Sequence, residues 1–199
     1  MSGHVPVLLK EVLEFSIAVT ALILLAPVLA IVSVAIRLDS PGPILYRQLR
    51  VGARARVYTL LKFRSMRVDA ESDGTAKWAE EDDPRITRVG RFLRKYRLDE
   101  LPQLFNVIRG EMSLVGPRPE RPQFVNELLR TVPCYSQRLA VKPGVTGLAQ
   151  VRMRYGASVE DAMEKLQYDL YYVKHLSVAL DLAILLDTLK VVLLGKGAR

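Results

Sequence analysis

The sequence holds little of what builds disulfides and metal centres. A single cysteine, Cys134, excludes an internal disulfide, and with only His4 and His175 there is no zinc-ligand cluster. Such a chain suits a reducing, cytoplasmic setting. Cys134 lies between Pro133 and Tyr135 with no histidine near it in sequence, so it is expected as buried filler rather than as a nucleophile. Aromatic residues are sparse, at 7%. The basic residues are interrupted by apolar ones and no aromatic stacking pattern accompanies them, which argues against nucleic acid as a partner. Acidic residues are in the minority, 21 against 29 Lys plus Arg, for a net charge of +8. That balance favours anionic partners, such as acidic headgroups or phosphorylated small molecules. At 199 residues the prior is one domain of ordinary size.

What the sequence does have is a long aliphatic run. From Phe15 to Ile36 there is no charge, and a straight helix of that length reaches roughly 33 Å, enough for the hydrocarbon core of a bilayer. The run is too long for a signal-peptide core and no small-residue cleavage site ends it, so an N-terminal membrane anchor is expected. Pro27 complicates the course. It removes a backbone hydrogen bond and crowds the preceding turn, which predicts a kink near Ala26. Two courses are open, a tilted and kinked span or a re-entrant helix that dips into one leaflet and returns. With the proline central, we expect the re-entrant course with both ends cytoplasmic. Lys10 precedes the run, and Arg37, Arg47, Arg50, Arg54 and Arg56 follow it. The heavier C-terminal cluster puts the remainder of the chain on the cytoplasmic side in either geometry.

The richest stretch is Asp99 to Arg118, DELPQLFNVIRGEMSLVGPR, between the basic run RFLRKYR (Arg91 to Arg97) and Pro119. Asp is a preferred helix cap and proline is tolerated in a first turn, so Asp99 is expected near an N-cap with Glu100 in the turn that follows. A helix N-terminus flanked by cations attracts phosphate, and a carboxylate inside such a site can attack phosphorus or hold a divalent metal against it. The plainer alternative is a solvated charged turn between two helices. Elsewhere, DSPGP (Asp39 to Pro43) is turn chemistry, and Ile44 to Val51 with Val57 to Phe63 read as a hairpin around Gly52. Alternation would put Lys62, Arg64 and Met66 on one strand face as a basic wall. Arg67 to Pro84 reads as a polar surface loop. Helical spacing surrounds the dyad (Phe92, Leu93, Tyr96; Leu101, Leu104, Phe105, Ile108) and returns at Phe124 to Leu129. Lys142 to Gly147 is expected as a glycine-bearing loop, with Gly144 and Gly147 serving the turn more simply than a phosphate. Ser158 and Asp161 resemble a capping box for a helix reaching about His175. Val178 to Leu194 is apolar but carries Asp181, Asp187 and Lys190, which suits a core or membrane-surface helix better than a span. The fold expected is α+β and mostly helical, with a membrane-associated helix over 1–38 and a compact domain with a small hairpin over 39–199.

With these segments in order, the chain resembles the bacterial sugar transferase family, the monotopic phosphoglycosyl transferases. The pieces that carry the resemblance are DSPGP, KFRSM (Lys62 to Met66), DDPRITRVGRFLRKYRLDELPQ (Asp82 to Gln103), SLVGPRPE (Ser113 to Glu120) and KPGVTGLAQV (Lys142 to Val151). Five pieces in order behind a proline-interrupted apolar helix form a specific signature. The segment from Arg154, RYGASVEDAMEKLQYDLYYVKH, looks most like the exopolysaccharide-type members, whose catalytic domain often follows further membrane helices not found in this sequence; a minimal enzyme and a catalytic domain alone both fit.

The resemblance implies transfer of a sugar-1-phosphate from a UDP-sugar to polyprenyl (undecaprenyl) phosphate at the bacterial inner membrane, with Mg2+ as cofactor and membrane lipid as surroundings. A homo-oligomer is compatible with it. Asp99 is implied as the nucleophile of an aspartyl phosphosugar, and Glu100 as acid/base or metal-arranging partner, so both are candidate metal ligands. Arg94 and Arg154 match active-site arginines. Arg118 lies in the Pro117-Arg118-Pro119 turn, and Lys62 with Arg64 would add to substrate binding. Two departures stand out. Arg152-Met153 replaces the usual Asn-Gly before Arg154, which raises the question whether Arg152 shares its task, and Glu14 stands where the family commonly has Asp. Outside that reading remain direct attack by the lipid phosphate, with Asp99 only a metal ligand, and a non-catalytic basic membrane module.

Overall fold

The computed structural model describes residues 7–70, 83–153 and 159–194. α1 (Val7–Asp39) runs as one helical segment with Pro27 inside it, about 50 Å of helix at 1.5 Å per residue. Among the described residues it is the one helix long and apolar enough to cross a membrane. Its inward residues recur at three- and four-residue spacing: Glu14, Ala18, Leu22, Leu25, Leu29, Val32 and Ile36. The opposite face keeps Leu8, Ile23, Leu24 and Ile31 about 70% exposed. α1 therefore lies along the rest of the protein over both halves, and Pro27 sits on the outward side.

β1 (Leu45–Val51) and β2 (Val57–Phe63) form the expected antiparallel hairpin, with Tyr46 opposite Lys62 and Arg50 opposite Tyr58. Arg54 and Ala55 at its tip take positive φ. α2 (Arg88–Lys95) is capped by Thr87, whose side chain accepts from Gly90 N, while Asp39 accepts from Val89 N at 3.1 Å. Gly90 is needed there, because a Cβ would fall 2.0 Å from Ser65 O. α3 (Gln103–Ile108), β3 (Ser113–Val115), α4 (Pro122–Thr131), β4 (Gly144–Thr146), α5 (Leu148–Arg152), α6 (Val159–Lys174) and α7 (Val178–Leu193) complete the chain.

β3 and β4 are paired in parallel, Ser113 with Gly144 and Val115 with Thr146. The segment expected as a glycine loop is thus partly strand. Its glycines serve close backbone approach, since a Cβ on Gly144 would meet Gly116 N at 2.1 Å. The largest core cluster joins Ala18 of α1 to Tyr58 and Leu60 of β2, Leu104 and Val107 of α3, Val115, Tyr172 and Ile184. α7 is anchored by Ile184 but exposes Leu182, Leu186 and Leu189, so it is core on one side and apolar surface on the other. Cys134 departs from expectation: it is exposed, with φ of 62° at the turn into Tyr135–Ala140, and Val132 and Tyr135 fill the core beside it. Of the expected surface loop, 71–82 lies outside the described residues, as does Ser158 of the proposed capping box.

Candidate active site

The acid pair occupies a short 3-10 turn, Leu98–Glu100, between α2 and α3. Arg97 ends α2 in the left-handed region, φ 54°, and its carbonyl accepts from Glu100 N at 3.2 Å. Pro102, without an N–H, takes the cap position of α3. This corrects the expected placement of Asp99 at a helix N-cap, because the backbone donors of Glu100 and Leu101 are spent within the turn itself. What surrounds the dyad is therefore side-chain charge rather than helix terminus.

Both carboxylates are buried, Asp99 at 8% exposure and Glu100 at 7%. Glu100 Oε1 accepts from Lys62 Nζ and from Arg118 Nη2, each at 3.0 Å. Burial opposes its ionisation, but the charges of Lys62, Arg118 and Arg97 prevail and hold Glu100 well below the usual carboxylate range. Asp99 goes the other way. Its burial, with Glu100 adding to it, outweighs the cations Lys62, Arg94 and Arg118 and raises its pKa. The surroundings thus do not stabilise ionised Asp99 by themselves. The hydrogen bonds of Lys62 and Arg118 go to Glu100, while Lys62, Arg94 and Arg118 act on Asp99 through their charge.

The sequence-predicted residues separate into two groups. Lys62, Arg118 and, through its charge, the half-buried Arg94 of α2 converge on the dyad. Pro117 and Pro119 are buried on either side of Arg118. The turn is clamped from behind: Arg138 Nη2 donates to Arg118 O at 2.7 Å, while Arg138 is itself paired with Asp169 at 2.8 Å and donates to Tyr135 Oη at 2.9 Å. Arg50 donates to Pro119 O at 2.8 Å. Arg64 belongs elsewhere. At 5% exposure it donates to the carbonyls of Ile36, Ser40 and Pro41 and to Ser40 Oγ, which ties the end of α1 to the residue after β2; it follows the strand, which ends at Phe63, rather than lying on its face. Arg152 pairs with Asp187 of α7 at 3.3 Å rather than with the dyad. Arg154 lies outside the described residues.

Several residues that position the site had no motif to announce them. Asn106, fully buried, accepts from Leu61 N and donates to Thr59 O and Glu111, which locks α3 to β2 beneath the dyad. Glu14 accepts from Ser113 Oγ at 2.5 Å and Leu114 N at 3.1 Å and pairs with Lys10 at 3.3 Å. Lys10 also reaches Tyr172 Oη and Asp181, and Tyr172 donates to Val115 O at 2.9 Å. The signal available in sequence was polarity inside apolar spacing: Glu14 and Asp181 in aliphatic helices, Asn106 between Phe105 and Val107.

The buried carboxyl pair thus faces cations that arrive from the hairpin and the proline turn, in a domain packed against a long apolar helix. A family model described as bacterial sugar transferase matches residues 5–195, and the chain belongs to that family. It is 44% identical to a UDP-N-acetylgalactosamine-undecaprenyl-phosphate N-acetylgalactosaminephosphotransferase of Aeromonas hydrophila, over 96% of this chain and 45% of that protein. It is 40% identical to a UDP-glucose:undecaprenyl-phosphate glucose-1-phosphate transferase of Escherichia coli (strain K12), over 91% of this chain and 39% of that protein. With the exopolysaccharide production protein PSS of Rhizobium leguminosarum bv. phaseoli it shares 42% identity over 90% of this chain and 92% of the relative. The chain thus spans under half the length of the first two relatives and nearly all of the third.

Proposed function

We propose that this protein moves a sugar-1-phosphate from a UDP-sugar to polyprenyl phosphate, releasing UMP, at the cytoplasmic face of the bacterial inner membrane. The observation that carries the reading is the buried Asp99–Glu100 pair facing Lys62, Arg94 and Arg118. Donor and acceptor are both anionic, so transfer between them needs concentrated positive charge, and arginine's planar fork matches phosphate oxygens. The printed names of two relatives pair a UDP-sugar with undecaprenyl phosphate, and that of the third concerns exopolysaccharide production.

Asp99 attacks the sugar-bearing phosphorus of the donor. A bond forms between the carboxylate oxygen and phosphorus, the bond to the bridging oxygen breaks, and UMP leaves with its electron pair. A phosphate oxygen of the acceptor then attacks the same phosphorus and returns Asp99 as carboxylate. Glu100, held ionised by two cations, is suited to aligning Lys62 and Arg118 and poorly suited to donating a proton near neutral pH. Two adjacent carboxylates, one of them with its pKa raised by burial, fit magnesium, which commonly takes one or two carboxylates and completes its shell with water and substrate phosphate; among the described residues no group of three acidic, histidine or cysteine ligands competes with that arrangement. Bound there, the ion would add positive charge that favours ionised Asp99.

A re-entrant course of α1 is part of this reading. What supports it is that Lys10 and Glu14 near one end and Val32 and Ile36 near the other all contact the same domain, together with Pro27 in the middle of the helix, where a kink would be caused. A cysteine at Leu8, in a Cys134→Ser background, should resist a membrane-impermeant thiol reagent in intact cells; labelling from outside would restore a simple span. For the reaction, purified protein supplied with polyprenyl phosphate should turn over at least one member of a UDP-sugar panel to UMP, and Asp99→Asn should release none. Turnover by Asp99→Asn at the parent rate would sink the assignment.

A further inference from the structure

Besides its cations, the dyad has an apolar neighbour. A cleft of about 230 Å3 opens against Glu100, between the α2–α3 connection, the β4–α5 segment and the last turns of α7. Leu101, Leu104, Val145, Val151, Val191 and Val192 supply most of its wall. Away from Tyr96, Arg97 and Glu100, the polar groups that line it are already engaged or are acceptors. Thr146 and Thr188 hydroxyls bond each other at 2.7 Å, and Gln150 Nε2 donates to Val145 O at 3.0 Å. Gln150 Oε1 is buried without a hydrogen-bond partner, and as an acceptor it repels phosphate.

A nucleotide or sugar entering such a cleft would leave its own hydroxyls and carbonyls unpaired, which is costly out of water. Hydrocarbon has no such cost. An apolar cavity of about 150 Å3 suffices for benzene, so a five-carbon isoprene unit fits here with room for part of the next. The position completes the match to an amphiphile. Glu100 and Arg97 line the cleft, and Glu100 is in turn bonded by Lys62 and Arg118. A phosphate held by those cations has its chain within one side chain of the cleft. α7 carries apolar residues on both sides, Val191 and Val192 toward the cleft and Leu182, Leu186 and Leu189 outward, so the remainder of a long chain has apolar surface on the same helix to follow.

We propose that this cleft is the subsite for the first isoprene units of a prenyl phosphate, with the phosphate toward Lys62, Arg118 and the dyad. The assignment rests on the acceptor-lipid reading above and adds where the chain goes. The test uses the full chain in lipid nanodiscs and a prenyl phosphate carrying a diazirine in its second isoprene unit. Photolysis should label peptides containing Leu101 and Leu104 or Val191 and Val192. Excess undecaprenyl phosphate should suppress the labelling and excess phosphatidylglycerol should not. Val191→Trp, checked for folding by thermal unfolding, should lower it about tenfold, since indole occupies the space the chain would take, whereas Val191→Ala should keep it. Labelling confined to the outward face of α1, equal displacement by phosphatidylglycerol, or full labelling of folded Val191→Trp would each overturn the assignment; should Val191→Trp not fold, the peptide map of the parent decides. The readout needs no turnover. Probe held in the cleft of a protein that transfers nothing would sink the catalytic reading and leave the subsite standing, whereas turnover with the label elsewhere would sink the subsite alone.

Discussion

Replacing Lys62 by Met removes one of the two cations on Glu100 and leaves the other, and the structure sets the size of the effect. Nζ and Oε1 are 3.0 Å apart, with Lys62 and Glu100 side chains 17% and 9% exposed. At an effective dielectric of about 20 that separation gives a gross attraction of about 5.5 kcal/mol. Removing one partner of a buried pair costs about 3–5 kcal/mol once desolvation is included, and the remaining Arg118 contact puts this case at the low end, about 3 kcal/mol. For a chain of this size the melting temperature should fall by about 6–12 °C. The pH dependence carries a sign. Glu100 is depressed in the folded state, so its ion-pair stability is present above the ordinary carboxylate pKa and lost as pH falls through the folded value. The gap in melting temperature between parent and variant should therefore be full at pH 7 and narrow below about pH 4. Asp99 is raised, and Lys62 is the strongest of the cations that restrain it, so the acid limb of the variant's rate profile should move to higher pH. Differential scanning fluorimetry across pH and UMP release at saturating donor check both. A variant melting within 2 °C of the parent at pH 7, with an unmoved acid limb, would refute the charge partition described for the dyad.

Glu14→Ala should cost about 2–4 kcal/mol, because it leaves Ser113 Oγ, Leu114 N and part of the Lys10 charge unsatisfied inside the protein; thermal unfolding in detergent measures it, and no loss would mean that α1 is not moored there. Arg138→Lys keeps the charge but loses the fork that joins Asp169, Tyr135 and the Arg118 carbonyl. It should lower kcat by about tenfold or more through a displaced Arg118, with the loss partly offset by nothing in the donor KM, and a kcat near the parent's would assign Arg138 to stability alone.

The hairpin and most helices were legible because their signals are local: two short runs either side of a Gly52-containing loop, and apolar residues at helical spacing in α2, α3 and α4. The dyad was legible for the same reason, as two acids beside a basic run. Its charge partition was not. The cations that decide it arrive from 38 and 18 residues away, Lys62 on β2 and Arg118 in the proline turn, and spacing along the chain does not say which carboxylate they choose. Alternation assumed that the strand continues through Arg64, but β2 ends at Phe63 and four acceptors around the end of α1 claim the Arg64 guanidinium. The parallel β3–β4 pair escaped because three-residue strands have no period to read, and their pairing depends on glycines that permit backbone contact. Arg138 and Asn106 were invisible for a related reason: each acts on backbone from a distant segment.

The central claim is that Asp99, the carboxylate to which Lys62 and Arg118 do not donate their hydrogen bonds, is the group that takes the phosphosugar. Enzyme, magnesium and the correct UDP-sugar, with no lipid acceptor, should release about one equivalent of UMP, as double displacement requires. Intact-mass analysis should show the chain heavier by one phosphosugar, mapped to the peptide that contains Asp99, and Asp99→Asn should lose both signals. UMP appearing only after polyprenyl phosphate is added, with no adduct at any time under conditions of good turnover, would contradict the account and make direct attack by the lipid phosphate the mechanism.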